Sequence, residues 1–386
     1  MSLRARIERE IGERGPIPFS RYMELCLYDP ELGYYSRDAE RFGRAGDFFT
    51  SSDVHAVFGR LLARQFEEMW RALGTPPQLE LMELGPGRGL FARDVLDWSA
   101  EKFPTFFRAL HYTLVERSAA LRQGLKTRLE APLQAGKATI ADFGNEGAFP
   151  RGLAADTPII VFANEFFDAL PLAILSQAGS LRVNANDGRF VEEWVPASAS
   201  ELEFLDRYGV HPESDERTEV SLEAHRYASS LAQVIGCGFL IAIDYGYNRE
   251  EQLAGRHLDT VMTYRQHRDS PNPYAAPGEQ DITAHVNFTA LAAALEQHGM
   301  QAQPLLTQSQ FLMGIGEPNE FADAFEECRL PQERAKVALQ LKQLVTPAGM
   351  GEVFHVLVAS KGVQLSATEQ LRGLSFGKSR IFSGQT

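Results

Sequence analysis

Apolar positions along the chain alternate between helical and extended spacing. Near the start, Leu3, Ile7 and Ile11 recur four apart and Gly15-Pro16 follows, which predicts one amphipathic helix with a stop signal. Residues 17–50 are rich in aromatics (Phe19, Tyr22, Tyr28, Tyr34, Tyr35, Phe42, Phe48, Phe49) interrupted by Pro and Gly. Irregular structure packed on a larger body is predicted there. A strong helix is predicted from Ser51 or Ser52, either of which can cap it. Its buried stripe is Val54, Val57, Phe58, Leu61, Leu62, Phe66 and Met69, and Gly74 with Pro76-Pro77 ends it.

The pattern then changes. Short apolar runs at 79–84, 111–116, 138–141, 158–163 and 239–243 read as strands, and helical stretches such as 90–102 and 118–130 follow several of them. Strand followed by helix, repeated, is the signature of a parallel sheet covered on both faces. Residues 181–194 predict a β-hairpin around Asn186-Asp187-Gly188. They lie in a stretch, 171–235, that interrupts the alternation as an insertion. A late strand is predicted at 353–360, and the polar tail from 363 to 386 is expected to be loosely held. The expected organisation is a helical and aromatic segment over 1–75 covering the active site, then one domain over 76–362.

Composition narrows the function. The chain has 386 residues, 44% hydrophobic and 23% charged, with a net charge of -13. That profile is globular and acidic, which argues against a nucleic-acid partner because phosphate binding needs a basic surface. No apolar run approaches the roughly 20 residues of a membrane helix, so no membrane partner is expected. Cys26, Cys237 and Cys328 are odd in number and far apart, which suits a reducing compartment and offers no metal knuckle. No catalytic metal is expected. The first 15 residues mix Arg4, Arg6, Arg9 and Arg14 with Glu8, Glu10 and Glu13, unlike a transit or signal peptide. A cytoplasmic location is the resulting expectation. A homodimer is plausible, although no seam declares itself.

The sharpest local feature is Glu83-Leu84-Gly85-Pro86-Gly87-Arg88-Gly89, directly after one strand and before a helix. Glycines there let the backbone turn tightly and approach a ligand closely. A dinucleotide site wants its last glycine one place later, where this chain has Leu90. The observed spacing resembles motif I of class I S-adenosylmethionine (SAM) methyltransferases; a plain tight turn is the alternative. Acids then follow at successive strand ends. Glu116 suits the two ribose hydroxyls. Asp142 suits the adenine amine with Phe143 over the ring, and Asn164-Glu165 lies beside the methyl donor. SAM is the expected cofactor.

Further motifs extend the likeness: Gly46-Asp47-Phe48-Phe49-Thr50-Ser51, Ala163-Asn164-Glu165-Phe166-Phe167-Asp168-Ala169-Leu170-Pro171, Ile243-Asp244-Tyr245-Gly246-Tyr247, Pro277-Gly278 with Asp281-Ile282-Thr283-Ala284-His285-Val286, and Met350-Gly351-Glu352. With these the chain resembles the MidA-type SAM-dependent methyltransferases, the family that includes the mitochondrial complex I assembly methyltransferase, from about Pro16 to Gly362. The resemblance implies a Rossmann-like class I methyltransferase of the α/β class: a mostly parallel seven-stranded sheet with helices on both faces, an N-terminal helical segment and an inserted β-containing region. It also implies methylation of arginine on a protein. The missing presequence reads as that of a cytoplasmic bacterial relative, whose substrate can differ.

Methyl transfer from a sulfonium is an in-line displacement, so alignment and charge placement carry most of the catalysis. An arginine acceptor stays protonated in water, so a site must hold it with carboxylates and take up a proton. Glu165 and Asp168, after the fourth strand, are the candidate fork; the alternative for Asp168 is to brace its loop. His285, before a helix capped at Asn287, is a candidate proton acceptor or acceptor-binding residue. Asp244 either lines the same cleft or satisfies nearby backbone amides. Asp47, Phe48 and Thr50 are candidates to close over SAM at a helix start. Two other functions stay open: methylation of a small-molecule nitrogen or oxygen, and a SAM-binding assembly factor that does not catalyse.

Overall fold

The computed structural model describes residues 1–36, 56–142, 157–255, 257–265, 268–364, 366, 368 and 370–380. Helix α1 (Leu3–Arg14) starts where the Ser2 hydroxyl accepts from the Ala5 amide and stops at Gly15, φ +80°, with Leu3, Ile7 and Ile11 buried. Helix α2 (Phe19–Tyr28) follows. Helix α3 (Ala56–Ala72) buries Val57, Phe58, Leu61, Leu62, Phe66 and Met69; the start expected at Ser51 or Ser52 lies outside the described residues.

The main sheet is built on β1 (Leu79–Leu84), β2 (Leu110–Val115), β3 (Ala138–Ala141), β4 (Ile159–Asn164), β5 (Gly238–Tyr247) and β6 (Phe354–Lys361). It has nine strands among the described residues, where seven were expected. The continuous path runs Gln301–Ala302, β6, β5, β4, β1, β2, β3, with two-residue strands at Val286–Asn287 and Leu306–Thr307 pairing beside it. Strands β1 to β5 pair in parallel, and β6 runs antiparallel to β5. The two-residue strands escape a sequence reading because so few positions show no period.

All six residues of β1 are buried, as a sheet covered on both faces requires. Alternate side chains enter opposite cores. Leu81, Phe162, Ile241 and Val358 pack with α3 and with helix α4 (Leu90–Lys102) on one face. Met82, Val161, Leu240 and Leu357 enter the other core with the helices Leu222–Val234 and Phe288–Glu296. Each such side chain contributes roughly 1.5–3 kcal/mol. Strand β1 sits between β2 and β4, so the chain leaves it in opposite directions on its two sides. A crevice at the carboxyl ends of the strands follows from that reversal.

Two smaller sheets flank the main one. Five strands (Ile17–Pro18, Ala173–Ser176, Gly179–Asn186, Arg189–Val195 and Thr218–Val220) join the N-terminal segment to the inserted region through pairing of Ile17 with Val183. The hairpin turns at Asp187 and Gly188, φ +48° and +71°, the left-handed pair of a two-residue hairpin loop. The other sheet joins Met262–Arg265, Arg268–Ser270 and Asp281–Thr283. The tail departs from expectation. Leu371 and Leu374 are buried in the main core, the Gly373 amide donates to Gln65 Oε1 at 2.9 Å and the Arg372 amide to Glu68 Oε2 at 3.1 Å. Two leucines and two buried acceptors on α3 hold this stretch in place, pairings 304 and 308 residues apart that no local pattern announces.

Candidate active site

The turn after β1 rests on three left-handed glycines: Gly85, Gly87 and Gly89 have φ of +62°, +51° and +71°, a region that costs an L side chain roughly 1–2 kcal/mol. A methyl group on Gly85 would sit 3.2 Å from Phe166 Cδ2, and one on Gly89 would sit 2.5 Å from Leu125 Cδ2. One on Gly87 would meet nothing within 4 Å among the described residues. The outer glycines therefore allow close packing, while the middle one leaves backbone open to a ligand.

Acids line the strand ends beside this turn. Glu83 is buried and accepts from the Tyr112 hydroxyl at 2.8 Å. Burial, with Glu116 nearby, pushes it up to about 8 despite that hydrogen bond. Glu83 thus ties β1 to β2 beneath the turn. Glu116, after β2, accepts from the Ser118 amide at 2.7 Å. Burial raises it to about 7, opposed by the amides of Ser118, Gly87 and Arg117 and by the Arg122 charge. Its carboxylate therefore links the second strand end to the middle glycine. Asp142, after β3, is mostly exposed and pairs with Arg122 at 2.9 Å. Phe143 lies outside the described residues, as do Asp47, Phe48 and Thr50.

The turn after β4 is held from β5. Asp244 Oδ2 accepts from the amides of Phe166, Phe167 and Asp168 at 3.2, 2.9 and 3.3 Å, and Oδ1 accepts from Tyr245 at 3.0 Å. Of the two readings of Asp244, the structure gives the bracing one. The turn is strained at Glu165, φ +51°. Asn164 Nδ2 donates to Glu165 Oε1 at 3.0 Å, while Asn164 Oδ1 is buried with no partner among the described residues. Asp168 is 3% exposed, and its Oδ1 likewise has no partner there. Burial and the neighbouring carboxylates of Asp244, Glu165 and Asp281 hold Asp168 well above the carboxylate range. Asp244 is also raised, but its four amide donors oppose the shift, so Asp168 is the group of the pair that keeps a proton.

His285 follows Ala284, whose amide donates to the Asp168 carbonyl at 3.1 Å. Its Nδ1 lies 2.9 Å from His257 Nδ1, and its ring is nearly parallel to Tyr245, 6.4 Å between centroids. Burial beside His257 and His355 lowers it to about 4, which makes it a poor proton acceptor at neutral pH. It packs beside Tyr245, His257 and His355, and of its two expected roles the lowered proton affinity disfavours proton acceptance only. Residues with no expected role join the acids instead. Tyr28 donates to the Ala169 carbonyl at 3.0 Å, and Tyr35 donates to Asp281 Oδ1 at 2.9 Å. Asp281 sat inside a recognised motif, but only the pairing of distant segments brings it here.

An open glycine backbone, an acid bonded to that turn, and the buried Asn164 Oδ1 without a partner among the described residues fit the sugar, the amino-acid end and the positive sulfur of SAM. Fold and crevice together define a SAM-dependent methyltransferase of the Rossmann-like class. Residues 61–305 match the family model described as "Putative S-adenosyl-L-methionine-dependent methyltransferase". The chain belongs to that family. A Burkholderia thailandensis protein crystallised bound to S-adenosylhomocysteine (SAH) is 29% identical, with a TM-score of 0.79 over 97% of this chain and 94% of that one. The mitochondrial protein arginine methyltransferase NDUFAF7 homolog of Drosophila melanogaster is 31% identical over 94% of this chain and 85% of its own length. The human NDUFAF7 is 26% identical over 90% and 80%. The NDUFAF7 relatives are named as mitochondrial, which overturns the cytoplasmic expectation.

Proposed function

We propose that this methyltransferase acts on a guanidino nitrogen of arginine in a protein. The observation that carries the reading is Asp168, a buried carboxyl with one oxygen unpartnered among the described residues and a raised proton affinity, near Glu165. A protonated guanidinium satisfies both needs, because it brings charge and several N–H donors. Support comes also from the relatives named protein arginine methyltransferases, which align along most of their length. The net charge of -13 suits a basic protein segment as partner.

SAM supplies an electrophilic methyl group on a positive sulfur. Gly87 and Glu116 would hold its nucleoside end, and Asn164 would offer Oδ1 as an acceptor on the donor side. Glu165 and Asp168 would hold the guanidinium with one nitrogen available to the methyl group. Binding of the cationic guanidinium would release the Asp168 proton to solvent, and the resulting carboxylate would take the proton freed on transfer. Bracing by Asp244 keeps both acids in register during the displacement. The same reading takes the seven strands on the continuous path as the class I core, with residues 1–75 and 171–235 as acceptor-recognition surface. Incubating the protein with lysate and methyl-labelled SAM tests it. Label on protein is expected; label confined to small metabolites contradicts the proposal.

A further inference from the structure

The turn after β4 is clamped from three elements. Asp244 of β5 holds its amides, and the Ala284 amide holds the Asp168 carbonyl at 3.1 Å. The third clamp comes from the N-terminal segment. Tyr28, the last residue of α2, donates to the Ala169 carbonyl at 3.0 Å. The Ala169 amide in turn faces the Asp168 carboxyl and works against its raised proton affinity. One residue thus carries the Tyr28 bond on its carbonyl and the Asp168 contact on its amide. The phenol is itself fixed. Tyr22 of α2 donates to the Pro273 carbonyl at 2.9 Å, and Arg117 lies over the Tyr28 ring, 4.8 Å from its centroid. Arg117 follows Glu116, and its Nη2 donates to Glu24 Oε1 of α2 at 3.4 Å.

A carboxyl that must bond a guanidinium and then receive a proton acts only when correctly oriented. We propose that Tyr28 is a positioning residue for Asp168, acting through Ala169, with Arg117 holding its ring in place. This rests on the role given to Asp168 above and adds the group that sets its aim. It also joins the strand end that carries Glu116 to the acceptor acid through a single ring. The groups facing Asp168 are Asp244 of β5, Glu165 of its own turn, Asp281 of the adjoining strand, and the phenols of Tyr28, Tyr35 and Tyr245. The three carboxyls raise its proton affinity and the Ala169 amide opposes them. Losing the alignment of that amide therefore raises the affinity further.

The test follows label from methyl-labelled SAM into lysate protein, using the full chain and its Tyr28→Phe variant across a range of pH. Tyr28→Phe keeps the ring under Arg117 and removes only the hydroxyl. At saturating SAM it should transfer at least threefold more slowly, with the KM for SAM and the SAH affinity within twofold of wild type. The acid limb of its pH–rate profile should also move up by about 0.5 in pH, because the carboxylate form of Asp168 has lost a donor. A hydroxyl that only supports the fold would leave that limb in place. Should Tyr28→Phe fail to fold, Arg117→Ala carries the test: the same slowing and displaced limb are required, and Arg117→Lys must restore part of both. A rate within threefold of wild type, an unmoved acid limb, or a loss of SAH affinity matching the loss of rate overturns the role of Tyr28. Asp168→Asn separates this inference from the reading it rests on. An undiminished rate in that variant overturns both, whereas an inactive variant leaves the role of Asp168 standing whatever Tyr28→Phe does.

Discussion

Asp244→Ala removes one small side chain and four hydrogen-bond acceptances, from the amides of Phe166, Phe167, Asp168 and Tyr245. Phe167 and Asp168 are fully buried, so water cannot replace the lost acceptor. Each buried donor left unpaired costs about 1–3 kcal/mol, or about 2–6 kcal/mol for the two. Losing a carboxyl that burial already raises to about 7 offsets part of this. A net loss of about 2–4 kcal/mol remains. Asp244→Asn keeps one oxygen for the turn but sets its amide group against a donor, at about 1 kcal/mol. Urea unfolding followed by circular dichroism measures both, and Ala should be clearly worse than Asn. An Ala variant within about 0.5 kcal/mol of wild type, or an Asn variant worse than Ala, would refute the bracing role.

The three glycines should rank by what a methyl group meets. Gly89→Ala, facing Leu125 at 2.5 Å, should destabilise most, Gly85→Ala less, and Gly87→Ala only by the left-handed strain of roughly 1–2 kcal/mol, all read by thermal unfolding. SAH calorimetry on Gly87→Ala should nonetheless show at least a tenfold loss of affinity, because that backbone is the open one. Stability should also depend on pH. Glu83 and Glu116 are raised from 4.5 to about 8 and about 7, so their contribution is fully present below the unfolded value and is lost as pH rises through 7 and 8. The urea midpoint should fall between pH 6 and pH 9, and Glu83→Gln should flatten the fall. Asp168→Asn should abolish methyl transfer with little loss of stability, since the buried carboxyl it replaces is already neutral.

Strand runs, the glycine turn and the order of acids were legible because each is local: five apolar runs, a short glycine spacing and one residue after each run. The Asp244 bracing was foreseen only as one of two choices, since its four donors come from a loop 76 to 78 residues away and from its own neighbour. Asp281 was quoted within a motif yet given no role, because its meeting with Tyr35 spans 246 residues. The surroundings of His285 were hidden for the same reason. A lone histidine near a helix cap looks reactive in one dimension, while His257 and His355 beside it appear only in three. The anchored tail was likewise hidden, because its polar composition says nothing about Gln65 and Glu68 waiting on α3.

The central claim is that buried acids at the strand ends match a guanidinium. Fragmentation mass spectrometry of the labelled protein product, locating the transferred methyl to a side-chain atom, tests it most directly. The methyl group should be found on a guanidino nitrogen of arginine in the wild-type reaction and be missing with Asp168→Asn. A methyl group on lysine, on a carboxyl oxygen, or on arginine at an undiminished rate in that variant would contradict the account.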